Sequence, residues 1–191
     1  MPQAKLFQHI EKGTRAMDRV AGIDPSLARG CAVAILDFEQ DIVHVETTPR
    51  LPKAATDDHL AVREAALIIG ILQRWDVEVV GVEDQFAPLA SGGSRKERKA
   101  QQGRAQSMVR LSNFSGALRA LLLQAGLTPV KIAPATGKKA LTGNGRAGDS
   151  EMHRAALDLY GERGLSGKAS IDECHALGIG IAAEEKIGEA R

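Results

Sequence analysis

The stretch Arg19–Asp37, RVAGIDPSLARGCAVAILD, decides how the whole chain is read. Val20-Ala21-Gly22-Ile23 is a short apolar run, Asp24-Pro25-Ser26 breaks it, and Cys31 to Leu36 is a second run rich in small and β-branched residues. The spacing predicts two strands joined by a turn, with Asp24 at the end of the first. A carboxylate placed there stands at the rim of a sheet, where a ligand or a metal can meet it. Asp-Pro is equally a common turn dipeptide. The residue therefore takes its meaning from what the rest of the chain supplies.

With 191 residues, 43% hydrophobic and 26% charged, the chain is long enough for one well-buried core and short for two. The expected organisation is an N-terminal extension over residues 1–18, where Leu6, Phe7 and Ile10 form a weak helical stripe, followed by one domain over 19–191. A formal net charge of +1 means that affinity for a polyanion must come from local clustering. Cys31 and Cys174 lack the paired spacing of a zinc site, and no leader pattern opens the chain; together these point to a reducing, cytoplasmic setting. Apolar runs stop well short of the ~20 residues a membrane span needs.

Beyond Asp37, a turn leads to Ile42–Thr47, whose alternation predicts a half-exposed third strand. Asp57 and Asp58 offer capping carboxylates for a helix with Leu60, Leu67, Ile68, Ile71 and Trp75 on one face. Val77–Val82 is a continuous apolar run, as expected of a central strand covered on both sides, and it ends in Glu83. Residues 87–104 read as a basic loop leading into a long helix with Met108, Leu111, Ser115, Leu118 and Leu122 at helical spacing, stopped by Gly126. A strand at Thr128–Ile132, a short helical or turn segment at Pro134–Thr142, a helix from about Ser150 to Tyr160 and a last helix beginning at Ser170 and running through Ile181 complete the chain. Three strands, a helix, a strand, a helix, a strand and further helices describe an α/β fold. The expected form is an RNase H-like mixed five-stranded sheet with helices on both faces.

Three features then converge. Asp24 and Glu83 each close an apolar strand, and Asp172 and His175 lie three residues apart on one side of the last helix. Ser170 and Glu173 fit a capping box, which gives Glu173 a structural task and leaves Asp172 free. Alone, Asp172 could simply complement the helix N-terminus and His175 could be a satisfied core histidine. Three acids at the edges of apolar elements, however, repel one another unless a cation neutralises them. Oxygen ligands with one imidazole suit Mg²⁺ or Mn²⁺ better than zinc. Two ions about 4 Å apart would activate a water and stabilise the leaving oxygen of a phosphodiester hydrolysis.

With these residues in place the chain resembles the RuvC-type Holliday-junction resolvases of the RNase H-like superfamily. The resemblance is carried, in order, by GIDPS at Gly22–Ser26, VEDQF at Val82–Phe86, GRAQ at Gly103–Gln106, KKALTGNGRA at Lys138–Ala147 and DECHALGIGIA at Asp172–Ala182. It implies a homodimer that binds branched DNA, a four-way junction, and makes paired symmetric nicks with divalent metal. On this resemblance Asp24, Glu83 and Asp172 match the catalytic acids, Phe86 matches an aromatic used against junction bases, and Lys138 falls where the family places a phosphate-binding lysine. The departures are His175, where the family commonly has a second aspartate, and Asp149, where a second basic residue is expected, so that either Lys139 or Arg146 supplies that contact or the contact is missing.

Arg95, Lys96, Arg98, Lys99 and Arg104 are read as a backbone clamp that positions DNA without reading sequence. The small residues Ser112, Ser115 and Gly116 suggest a dimer face on the long helix. Gly143-x-Gly145-x-x-Gly148 matches a dinucleotide-binding pattern literally, but no strand immediately precedes it, and no Walker motif is present; a nucleotide cofactor is not expected. Two other readings stand beside the resolvase: a junction-binding architectural protein without catalysis, and an RNase H-like nuclease with a different nucleic-acid substrate.

Overall fold

The computed structural model describes residues 18–26, 29–50, 57–84 and 95–189, with the side chains of residues 57, 58, 60, 95–106 and 108 outside the described set. Strands β1 (Arg19–Asp24), β2 (Ala32–Asp37) and β3 (Ile42–Thr47) form an antiparallel meander; β4 (Val79–Glu83) and β5 (Thr128–Ile132) follow parallel to β1. The sheet order is β3-β2-β1-β4-β5. Helices α1 (Asp57–Arg74), α2 (Arg95–Gln124), α3 (Pro134–Thr142), α4 (Asp149–Tyr160) and α5 (Ile171–Gly188) supply the two covering layers. Among the described residues no helix is long and apolar enough to cross a membrane.

Strand alternation sorts the side chains into two cores. Val20, Ala32, Ala34, Leu36 and Val79 face α3, α4 and α5, whereas Ala21, Ile23, Val33, Ile35, Val80 and Val82 face α1 and α2. Both faces are covered. This is why β1, β2 and β4 read as unbroken apolar runs.

The two strands of the opening stretch and the central strand β4 lie within a residue or two of their expected positions, and Ile42–Thr47 and Thr128–Ile132 coincide with theirs. Three expectations are corrected. The basic run is not a loop: α2 begins at Arg95, because RKERKAQQ is composed of good helix formers whose charges say nothing against a helix. The core face of α1 is Ala61, Glu64, Ala65, Ile68, Ile71 and Leu72; Leu67 is half-buried, and Trp75 lies beyond the helix end in a turn stacked on His44. The last helix continues to Gly188. Residues 1–17 and Phe86 lie outside the described residues.

Glu64 is the polar surprise of the interior. It is fully buried, and its Oε2 accepts a 2.5 Å hydrogen bond from the Thr48 hydroxyl, which in turn accepts from the Cys31 N–H at 2.7 Å. The chain ties α1 to the start of β2 and the end of β3 through one buried polar relay. An aliphatic stripe gives no warning of it, because the acid sits at a core position of the helix.

Candidate active site and metal centre

Asp24 and Glu83 become neighbours through strand pairing. β1 and β4 run parallel with Ile23 opposite Val82, so the next residue on each strand is an acid at the same rim. Both acids share the face of Gly22 and Gly81, two residues earlier, and that face is where α5 lies.

The two glycines set how close α5 can come. A Cβ on Gly22 would fall 1.9 Å from the Ala176 carbonyl oxygen and 2.3 Å from the Gly180 nitrogen; one on Gly81 would fall 2.7 Å from the Ile179 carbonyl oxygen. The helix rests directly on the sheet backbone, and its first turn therefore overhangs the rim. Ser170 accepts from the Glu173 N–H while the Glu173 carboxylate accepts from the Ser170 N–H at 2.6 Å, the expected capping box. Asp172 and His175 are thereby presented to the same cleft as Asp24 and Glu83.

That cleft has a volume of about 730 Å³ and is also lined by Arg29, Ser107, Arg110, Lys138 and Asp149. Burial pushes the Asp24 carboxyl up to about 8, reinforced by repulsion from Glu83 and Asp172 and partly offset by Arg29. Burial likewise raises Glu83 to about 7, with Lys138 pulling down and Asp172 pushing up. His175 is lowered by burial and by Lys138, against the pull of Asp149 and Asp172. Its Nδ1 lies 3.8 Å from Asp24 Oδ2, beyond hydrogen-bond range, and its Nε2 is buried with no hydrogen-bond partner among the described residues.

Two buried acids held above the carboxylate range and an imidazole with an orphaned nitrogen form a donor set that fits a divalent cation. Among the described residues, no three His, Cys, Asp or Glu side chains converge into a closed ligand group. Asp172 is not free, as the capping box had suggested: its Oδ1 is paired with Arg29 Nη2 at 2.9 Å.

Neighbouring elements steady the rim. Ser115 Oγ donates to the Glu83 carbonyl at 2.8 Å, fixing the end of β4 to α2, and Asp84 is held by Lys131 at 2.9 Å and Arg119 at 3.4 Å. Ser115 is therefore committed inward and contributes nothing to a dimer face. Lys138 reaches the cleft with its ammonium donating to the Ala147 carbonyl at 2.9 Å. Lys139 and Arg146 are exposed and do not line the cleft, so the structure does not bring them to the acids. The backbone of Arg95, Lys96, Arg98, Lys99 and Arg104 lies in α2, and their side chains are outside the described set. The sequence pattern does not single out Arg29, Ser107 and Arg110; Ser107 and Arg110 follow the basic run by less than two turns of the same helix, a signal hidden once that run is taken for a loop.

With this geometry in view, the fold is matched by T. thermophilus RuvC in complex with Holliday junction substrate, at a TM-score of 0.67 and 19% identity over 90% of this chain and 97% of that one. A second Thermus thermophilus RuvC structure matches at 0.59 and 22% identity over 86% and 92%. The fold is RuvC-like. A crossover junction endodeoxyribonuclease RuvC of Bifidobacterium adolescentis is similar in sequence, 27% identical over 168 residues that cover 83% of this chain and 79% of the relative. No family model matches. The RNase H-like sheet expected from the order of strands and helices is the one observed.

Proposed function

We propose that this RuvC-like chain is a divalent-metal-dependent endodeoxyribonuclease that resolves Holliday junctions, two copies making paired nicks. The observation that carries the reading is the meeting of Asp24, Glu83, Asp172 and His175 in one cleft at the end of two parallel strands. The names of its relatives, a crossover junction endodeoxyribonuclease and a RuvC in complex with Holliday junction substrate, favour the same substrate.

On this reading Asp24, Glu83 and Asp172 hold Mg²⁺ or Mn²⁺, and His175 either completes the set or moves a proton. The metal, when bound, supplies a nucleophilic water and stabilises the leaving oxygen. Asp24 and Glu83 must shed their protons to serve, which their raised values oppose until cation binding compensates. Lys138, anchored by the Ala147 carbonyl, orients a phosphate at the cleft edge. Phe86 against unpaired bases and the basic run of α2 against the backbone extend the DNA contact. Each chain has one such cleft described, so two symmetric nicks call for a dimer. Val109 and Leu123, both exposed on α2, are apolar candidates for its contact.

The test is cleavage of a labelled synthetic four-way junction and of a matched linear duplex, with and without Mg²⁺ or Mn²⁺. Metal-dependent nicks in pairs at the junction are expected. Binding without nicks under any divalent ion would overturn the enzyme in favour of an architectural protein, and equal cutting of the duplex would overturn the junction as substrate.

A further inference from the structure

Arg29 has no part in the reaction proposed above, yet its guanidinium sits on one of the acids the reaction needs. Its side chain is 67% exposed at the mouth of the cleft, whereas the Asp172 carboxylate it grips is 14% exposed. The base of this arm is fixed. The Arg29 N–H donates to Ser26 Oγ at 3.2 Å, and the next residue, Gly30, adopts φ +91° so close to Thr48 that a Cβ would fall 2.0 Å from its carbonyl oxygen. The guanidinium can therefore swing while its backbone stays in place.

An ion pair this exposed to water is weak and easily exchanged. The planar fork of arginine pairs with a phosphate as readily as with a carboxylate. While Arg29 Nη2 holds Asp172 Oδ1, that oxygen of the α5 acid is occupied and a positive charge stands beside it. In keeping with that, the acids share a cleft without closing into a ligand group among the described residues.

We infer that Arg29 is a guard displaced by substrate: in the DNA-free protein it occupies Asp172, and a DNA phosphate entering the cleft draws the guanidinium away, releasing Asp172 to the metal. This rests on the nuclease reading above and adds a coupling to it. Metal binding and DNA binding become mutually reinforcing, because each favours the state in which Arg29 has left the acid.

The test uses Mn²⁺ alone as the probe, its free hexaaqua form read by electron paramagnetic resonance. Wild type and Arg29→Gln are titrated with and without a four-way DNA junction, and the Mn²⁺ taken up by the DNA alone is subtracted. Without DNA, Arg29→Gln is expected to bind Mn²⁺ roughly twofold to fivefold more tightly than wild type. DNA is expected to tighten binding by wild type more than by the variant, by about the same factor. If DNA changes both proteins equally, the arginine acts only through its charge and the guard is overturned, as it is by identical affinities throughout. Failure of both proteins to bind Mn²⁺ at all would overturn the metal site and the guard with it.

Discussion

Asp24 bears the cost of the arrangement. It is an acid buried at the rim beside Glu83 and Asp172, and ionising it there is unfavourable, which is why its carboxyl is raised to about 8. A carboxyl raised on folding weakens the fold when charged: the penalty begins as pH passes the unfolded value and is complete above about 8. Asp24→Asn is therefore expected to abolish junction cleavage, to keep junction binding, and at pH 8.5 without metal to melt at least about 2 °C above wild type. Calorimetry with and without EDTA, beside a cleavage assay, checks both halves; an unchanged cleavage rate would remove Asp24 from the site. The same titrations govern the metal. Protons must leave Glu83 at about 7 and Asp24 at about 8, so Mg²⁺ or Mn²⁺ affinity should rise between pH 6 and 8, by roughly tenfold per pH unit for each proton displaced. Titration calorimetry in buffers of different ionisation enthalpy counts those protons, and a flat profile over that range would contradict the assignment of these two acids as ligands.

At the scale of elements, the contact that decides the site is α5 lying backbone to backbone on β1 at Gly22 and close over β4 at Gly81. Gly22 and Gly180 make that approach possible: a Cβ on Gly180 would meet Leu36 Cδ1 at 2.3 Å, and one on Gly22 would meet helix backbone, which cannot turn aside. Gly22→Ala is expected to cost about 1–3 kcal/mol by overpacking and, by lifting the first turn of α5 from the rim, to reduce cleavage more than stability. Gly70→Ala is the counterpart. Nothing lies within 4 Å of its would-be Cβ in α1, so the change should stabilise the fold by up to about 1 kcal/mol. Thermal melts of the two variants, run together, separate close packing from helix propensity. These elements were also where sequence spoke most plainly. The apolar runs of β1, β2 and β4 were legible because burial on both faces leaves no polar interruption, and the capping box of α5 was legible because Ser170 and Glu173 act locally. The start of α2 was hidden by charge and glycine composition, and the α1 face was hidden because a buried Glu64 breaks the aliphatic pattern through a partner, Thr48, that is distant in sequence.

Over the whole molecule, the site is made by topology. Asp24, Glu83 and Asp172 come from positions dispersed through the chain, and they were legible together because each ends or begins an otherwise apolar element. Arg29 was not, since its pairing with Asp172 spans 143 residues and nothing local to the turn announces it. The same distribution decides how DNA would be held. A chain of net charge +1 has no general attraction for a polyanion, so affinity must come from Lys138, Arg110 and Arg29 around the cleft, together with the basic run of α2. Junction affinity should therefore fall steeply with salt, the slope of log K against log [salt] counting the phosphates neutralised. Lys138→Gln should lessen that slope by about one on each bound chain and weaken junctions of every sequence alike, because a phosphate contact positions DNA and does not read it. Fluorescence anisotropy of a labelled junction across a salt series measures both quantities. An unchanged slope would place Lys138 outside the DNA contact, and a loss confined to particular junction sequences would mean that it meets bases instead of backbone.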